Sequence, residues 1–389
     1  MAIPISYNLR NVVQRPMSTL ATTIGIALVV AILVGTFALA SGFQAALVET
    51  GSPENLMAMR TGADSEISSG VSRDAANILR ALPDVAIGPG GRSLASAEMV
   101  VLINAPRVGQ GGSSNVTVRG IDPDGLALRS QVKMVAGRMF TPGTDEVIVG
   151  GRIARRFANC GLGEKLRLGQ RDFTVVGHFT AAGSGFESEV WGDNAVLMPA
   201  LNRDDVFQSV TFRMRDPSRF AAIEKQLEGD PRLGIQARTE RDFYSEQSRL
   251  MATIIRAGGV LITLIMAVGA IFGAMNTMYA AVRQRTREIA VLLTLGFTPG
   301  AIMVSFLIES VILALLGGVL GCLLALPING ITTSTTNWSS FSEIAFAFRV
   351  TPAGIVAGLV FAAVMGLAGG FLPARRAAKQ SLAASLRAA

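Results

Sequence analysis

The chain has one histidine, two cysteines and four lysines in 389 residues, and each scarcity removes a class of chemistry. His178 alone cannot supply the paired imidazoles of a histidine-built metal site. Cys160 sits in a polar segment and Cys322 in an apolar one, so the two cannot pair and no disulfide framework exists within the chain. None of Lys133, Lys165, Lys225 and Lys379 follows a glycine, which excludes the Gly-Lys step of a nucleotide-binding phosphate loop. The nearest approach to a nucleophile elbow, Gly91-Arg92-Ser93-Leu94-Ala95, lacks its final glycine. Charged residues are also sparse, at 16%, against 50% hydrophobic residues and a mean hydropathy of +0.44, which is the balance of a membrane protein.

The net charge of +7 does not mark a nucleic-acid surface, because of where it sits. Arg10, Arg15, Arg283, Arg285, Arg287, Arg375, Arg376, Lys379 and Arg387 all abut apolar spans on one side, opposed only by Glu288. That group carries +8 and the rest of the chain −1, a positive-inside bias. Four apolar stretches of about 20 residues or more are each long enough to cross a hydrocarbon core. They lie near residues 20–40, 257–282, 299–326 and 351–372. The first exceeds the usual core of a secretory signal and reads as an uncleaved helix. The second carries Gly269 and Gly273, and the third Gly317, Gly318 and Gly321, spacings that let helices approach closely. Thr351 and Pro352 read as cap and first position of the fourth, which is expected to end before Pro373.

About 200 residues of balanced charge separate the first two spans. Val116/Val118, Leu166/Leu168, Phe173/Val175 and Val210/Phe212/Met214 alternate as half-buried strands do. Helices are expected over 72–82 and from Asp216-Pro217 to Gly229. The fold class is therefore an α-helical membrane protein with four transmembrane helices plus a mixed α/β extracytoplasmic domain inserted between helices 1 and 2. The boundaries are a cytoplasmic amphipathic segment (1–18), the first helix (19–43), the external domain with its stalk (44–250) and the second helix (251–282). A cytoplasmic coupling element (283–299), third helix (300–328), external loop (329–350), fourth helix (351–373) and cytoplasmic tail (374–389) follow. The helical pattern from Glu240 runs into the second span, predicting one stiff helix of about 40 residues.

Between the second and third spans the chain reads Arg283-Gln284-Arg285-Thr286-Arg287-Glu288-Ile289-Ala290-Val291-Leu292-Leu293-Thr294-Leu295-Gly296-Phe297. This run resembles the signature that follows the second transmembrane helix in the FtsX/MacB-like family of ABC transporter permeases. Gly137-Arg138-Met139-Phe140, Glu146–Gly150, Gly163–Leu168, Phe173–Gly177 and Val196-Leu197-Met198-Pro199 follow in the order of that family's periplasmic domain. Phe371-Leu372-Pro373-Ala374-Arg375-Arg376 is similar to its C-terminal motif. Ala290 replaces a common glycine, and the tail lacks a usual proline.

The resemblance implies a non-catalytic permease subunit of the bacterial inner membrane, multi-pass with both termini cytoplasmic. It implies a separate cytoplasmic ABC ATPase that carries ATP and magnesium, so that no cofactor binds this chain directly. A second permease copy, as homodimer or heterodimer, is also implied, and in tripartite systems a periplasmic membrane-fusion protein. No nucleic-acid partner is expected. The work would be export or extraction of an envelope substrate (lipoprotein, lipid, peptide or drug) through motion of the periplasmic domain. An FtsX-like signalling subunit that activates a cell-wall hydrolase is the alternative, and the size of the external domain favours transport. Arg283, Arg285, Arg287, Glu288, Ile289, Leu292, Leu293 and Gly296 are the candidate ATPase-coupling residues, with Ile289, Leu292, Leu293 and Leu295 as an apolar docking face. Gly269, Gly273, Gly317 and Gly321 are candidate helix-packing positions. Glu309, the ionisable residue inside the third span, is expected to cap or pair near the coupling element.

Overall fold

The computed structural model describes residues 16–380 apart from Pro89, Gln110 and Asp204. The expected amphipathic segment before the first span, and the tail with Arg387, lie outside the described residues. Chain order gives α1 (Pro16–Val48), β1 (Asn55–Arg60), β2 (Val71–Ser72), α2 (Arg73–Arg80), β3 (Ala95–Pro106), β4 (Ser113–Ile121) and β5 (Lys133–Gly137). Next come β6 (Glu146–Gly150), β7 (Lys165–Leu168), β8 (Arg171–Thr180), β9 (Glu189–Asp193), α3 (Asn194–Ala200), β10 (Val206–Phe207), β11 (Ser209–Arg213), α4 (Phe220–Glu228) and β12 (Ile235–Thr239). The chain closes with α5 (Glu240–Gln284), α6 (Thr286–Thr294), α7 (Pro299–Ala325), β13 (Thr332–Thr336), β14 (Glu343–Ala347) and α8 (Pro352–Ala378). Four helices are long and apolar enough to span a membrane: α1, α5, the stretch begun by α7, and α8. Contacts divide the chain into a helical unit (residues 1–41, 253–331 and 348–389) and an external unit (42–252 and 332–347).

The external unit is built on a mixed ten-stranded sheet in the order β12-β1-β11-β3-β4-β9-β6-β8-β5, with β7 paired to β8. Its longest antiparallel ladder joins β3 to β4, from Met99↔Gly120 to Pro106↔Ser113, while β4 and β9 run parallel. Alternation along β8 sends Phe173, Val175 and Phe179 inward, as period 2 requires. Helix α2 opens on Ser72, whose hydroxyl accepts from the Ala75 amide, and α4 follows a short 3₁₀ turn capped by Asp216. The expected strands and both expected helices are present. Residues 194–200, which carry the Val196–Pro199 motif, are a short helix. Within the segment expected as a simple external loop, β13 and β14 form a hairpin that belongs to the external unit. Arg152 donates to the carbonyl of Ala345, and the Ala345 amide donates to Ser188, at 2.5 and 2.9 Å.

Four glutamates and two arginines are buried together at the centre of this unit. Arg119 on β4 donates to Glu66, Glu98 and Glu189 at 2.7–3.0 Å, and Arg129 donates to Glu98 at 2.5 and 2.9 Å and to Glu240 at 3.2 Å. Phe186 lies 5.3 Å from the Arg119 guanidinium and 4.8 Å from that of Arg129, within cation–π range. Trp191 donates to Glu189, Ser209 donates to Glu66, and the Tyr244 hydroxyl reaches Glu66 as well. Burial pushes the Glu66 carboxyl up, but Arg119 and the Ser209 hydroxyl outweigh it and hold the group below the ordinary carboxylate range. Glu240 goes the other way. Burial raises it, and Arg129, the Ser52 amide and Asn55 only partly offset that.

In the helical unit, close packing falls mainly on α7, and on α5 it falls at Gly259, whose built Cβ would run into the Thr36 side chain of α1. A Cβ on Gly317 would lie 2.8 Å from the Thr23 carbonyl, and one on Gly321 would lie 2.5 Å from that of Ala27, so α1 and α7 cross nearly backbone to backbone. Gly318 meets Ala362 and Gly366 meets Ala314 in the same way between α7 and α8. Gly321→Leu is expected to overpack this crossing and to cost about 1–3 kcal/mol. Thermal unfolding of the detergent-solubilised protein, with Gly300→Leu as the unhindered control, checks it. Gly269 and Gly273 do not pack as expected. Both are exposed with nothing within 4 Å of a built Cβ, and they line an open groove of about 480 Å³ with Ala21, Gly25 and Val29 of α1. The two helices are bridged instead by Thr22 and Thr277, whose hydroxyls meet at 2.9 Å.

Pro373 does not end α8, contrary to expectation. The helix continues to Ala378, because Ala374 and Ala377 are fully buried against Met278, Val282, Ile302 and Phe306. That packing outweighs the local cost of about 3 kcal/mol for an interior proline.

Candidate functional site

The basic segment after the second span forms a short helix held by an internal ion pair. Helix α5 runs unbroken for 45 residues, then breaks at Arg285, whose backbone leaves helical geometry before α6 begins. The Arg285 guanidinium donates to both carboxylate oxygens of Glu309 on α7, Nη1 to Oε2 at 2.7 Å and Nη2 to Oε1 at 3.2 Å. Both residues are buried, at 4% and 5% exposure. A two-pronged guanidinium–carboxylate contact fixes direction as well as distance, so it ties the start of α6 to α7. Glu309 therefore pairs across to the coupling element. Arg285, expected as a contact for a partner, is spent on that pair.

The apolar face of α6 is divided. Ile289 is buried and Leu293 packs beside it against Met278 and Val282 of α5, Ile302 and Phe306 of α7, and Ala374 of α8. Ile289 and Leu293 thus belong to the protein's own core, which corrects the expectation that they dock a partner. Leu292 is half-buried. With positions 285, 289 and 293 turned inward at a spacing of four, helical geometry turns Arg287, Glu288, Val291 and Leu295 outward. All four are exposed, Val291 at 51% and Leu295 at 67%. Val291 was missed from sequence, although the spacing of Arg285, Ile289 and Leu293 contains it once Arg285 is known to point inward. Arg283 is also exposed, and neither it nor Arg287 has an ion-pair partner among the described residues.

Gly296 ends α6. Its φ of +90° is left-handed, its amide donates to the Leu293 carbonyl at 3.1 Å, and the Phe297 amide donates to the Leu292 carbonyl at 3.1 Å. This is the paired bonding of a glycine helix stop, so Gly296 shapes the turn into α7. Thr298 then caps α7 by accepting from the Ala301 amide. Among the described residues no group of three or more His, Cys, Asp or Glu could hold a metal ion.

Two family models match, one to each part of the chain. Residues 19–230 match the MacB-like periplasmic core domain, and residues 260–382 match the FtsX-like permease C-terminal domain. Among curated relatives, the macrolide export ATP-binding/permease protein MacB of Bordetella avium is 28% identical over 286 residues, 69% of this chain and 42% of its own length. MacB 1 of Aeromonas hydrophila is 29% identical over 283 residues, covering 68% of this chain and 42% of the relative. MacB 2 of Yersinia pestis is 31% identical over 229 residues, covering 56% and 32%. The chain thus spans about two fifths or less of the length of these relatives. Among solved structures, the periplasmic region of MacB from Actinobacillus actinomycetemcomitans aligns with a TM-score of 0.38 at 14% identity, over 49% of this chain and 90% of that one. The extracellular domain of the noncanonic ABC-type transporter YknZ gives 0.36 at 14% identity, over 47% and 99%.

Proposed function

Because the chain belongs to the MacB/FtsX-like ABC transporter permease family, we propose that it is the permease subunit through which a separate cytoplasmic ATPase drives export or extraction of an envelope substrate. ATP and magnesium sit on that ATPase, and this chain contributes no catalytic residue. The 283–299 element and both termini face the cytoplasm in this reading, residues 44–250 lie outside, and the protein is multi-pass in the inner membrane. The positive-inside charge bias supports that orientation.

The observation that carries the proposal is the Arg285–Glu309 pair. It clamps α6 to α7 and leaves Arg287, Glu288, Val291 and Leu295 as a surface stripe of the kind an ATPase groove receives. A push on that stripe moves α5 and α7 together. Helix α5 is roughly 68 Å long at 1.5 Å per residue and begins on Glu240 in the buried charge cluster. A second permease copy completes the membrane pathway, since α5 exposes Leu261, Ile262, Leu264, Ile265, Val268 and Phe272.

Val291→Asp combined with Leu295→Asp is expected to abolish co-purification of ATPase activity from solubilised membranes while leaving the thermal midpoint unchanged. Ile289→Ala is expected to lower that midpoint, at a cost of about 2–5 kcal/mol for a core truncation. If the unmodified protein brings down no nucleotide-hydrolysing partner while a control ABC complex survives the same extraction, the proposal fails.

A further inference from the structure

A cleft of about 660 Å³ opens in the external unit, walled by Val135 on the edge strand β5, by His178 and Phe179 on β8, and by Arg152, Arg155 and Arg156 after β6. That volume suits a small amphipathic molecule. The three arginines differ in what they already hold. Arg152 is engaged through Nε with Glu187 at 3.0 Å and through Nη1 with the carbonyls of Gly183 and Ala345 at 3.1 and 2.5 Å. Arg156 donates to Ser334 at 2.5 Å and lies 3.1 Å from Glu343, a carboxylate it shares with Arg107. Arg155 is exposed and has no partner among the described residues.

Three guanidinium groups, of Arg107, Arg152 and Arg156, therefore face Glu187 and Glu343, with Glu49 acting on Arg152 from farther away, and with Arg155 counted one positive charge remains in excess. It rests on Arg155. His178 brings no free donor: a carbonyl can only accept, so its Nε2 donates to the Cys160 carbonyl at 2.8 Å, and Nδ1 is its remaining polar atom. The wall also carries apolar side chains. Val135 is 68% exposed on a sheet edge, and the half-buried Ala136 and Ala154 continue that surface beside Thr180 and Thr332. An inorganic anion would satisfy the arginines and leave this wall in water, while a neutral hydrocarbon would leave Arg155 without a counter-charge.

We propose that the cleft binds an anionic amphiphile, with a phosphate or carboxylate on Arg155 and Arg156 and an apolar chain along Val135, Ala136 and Ala154. Arginine suits the head because its planar fork matches both anions. That such a ligand is cargo rests on the export reading above, whereas its binding does not.

The test uses the full chain in phosphatidylcholine nanodiscs, titrated calorimetrically with dihexanoyl phosphatidate, dihexanoyl phosphatidylcholine and inorganic phosphate. Saturable phosphatidate binding is expected, weakened about tenfold or more by Arg155→Ala and by Val135→Asp, as loss of a charge-assisted contact or of the apolar wall requires. Both substitutions are on the surface, and an unchanged thermal midpoint confirms that each variant is folded. The proposal is overturned if phosphatidate does not bind or if Arg155→Ala binds it as well as the parent. It is equally overturned if phosphate alone matches phosphatidate, which would mean a free-anion site, or if phosphatidylcholine does, which would mean lipid adsorption. ATPase co-purification from the same preparations separates the two readings. Binding without an ATPase sinks only the export reading, and an ATPase without binding sinks only the cleft.

Discussion

Replacing Arg119 by alanine is expected to cost about 3–5 kcal/mol, enough to leave much of the external unit unfolded, because it strands buried carboxylates without their guanidinium. Glu66 and Glu189 lose their ion-pair partner, and Glu98 keeps only Arg129. Arg119 is nearly fully buried, at 1% exposure, and so are the carboxylates it pairs. Emission from Trp191, buried and bonded to Glu189, reports the loss during thermal unfolding of the full chain. The pH dependence adds a sign. In the parent, Glu66 sits below its ordinary value, so its contribution is present at neutral pH and fades as pH falls through its folded value. In the variant the stranded carboxylates are stable in the fold only when protonated, so the folded state binds more protons than the unfolded chain. The variant should then gain stability as pH falls from about 7 to 5. A midpoint within experimental error of the parent at neutral pH would refute the account.

The second large effect is expected at the helical unit's buried ion pair. Arg285→Ala and Glu309→Ala should each cost about 3–5 kcal/mol, since each leaves an uncompensated charge among apolar helices. Replacing both residues by methionine should recover most of that loss, because the pair is expensive to desolvate and close to neutral in net stability. The double variant separates stability from coupling. If the proposed export function holds and the pair sets the exit angle of α6, the methionine protein folds and spans the membrane, yet ATPase activity bound to it no longer drives transport. Recovery of transport along with stability would show that the ion pair only fills space.

Much of this architecture is legible in the sequence because its causes are local. Apolar length marks the four spans, period-2 alternation marks β4, β7, β8 and β11, and Ser72, Asp216 and Thr351 act as caps through bonds to amides two or three residues away. The glycines show the limit of that reading. Gly317 and Gly321 lie in a close crossing, whereas Gly269 and Gly273, at the same spacing, face an open groove. Spacing states only that an approach is possible, and the partner's position decides whether it happens. Pro373 shows the same limit, since the propensity that should stop α8 is outweighed by Ala374 and Ala377, whose partners lie more than 60 residues away in sequence.

A four-span membrane protein with an inserted α/β domain, a basic element between spans and no nucleotide loop can thus be read from composition, period and motif, which need no knowledge of neighbours. Only the tertiary structure decided that Arg285 turns inward to Glu309, that Ile289 is core while Val291 is surface, and that the hairpin 332–347 joins the external unit. It also gathered Glu66, Glu98, Arg119, Arg129, Glu189 and Glu240, scattered over 175 residues, into one buried cluster. The physical reason is the same in each case. A charged side chain carries no local signal of whether it will face water or a counter-charge, and the cost of burial is settled only when the distant partner arrives.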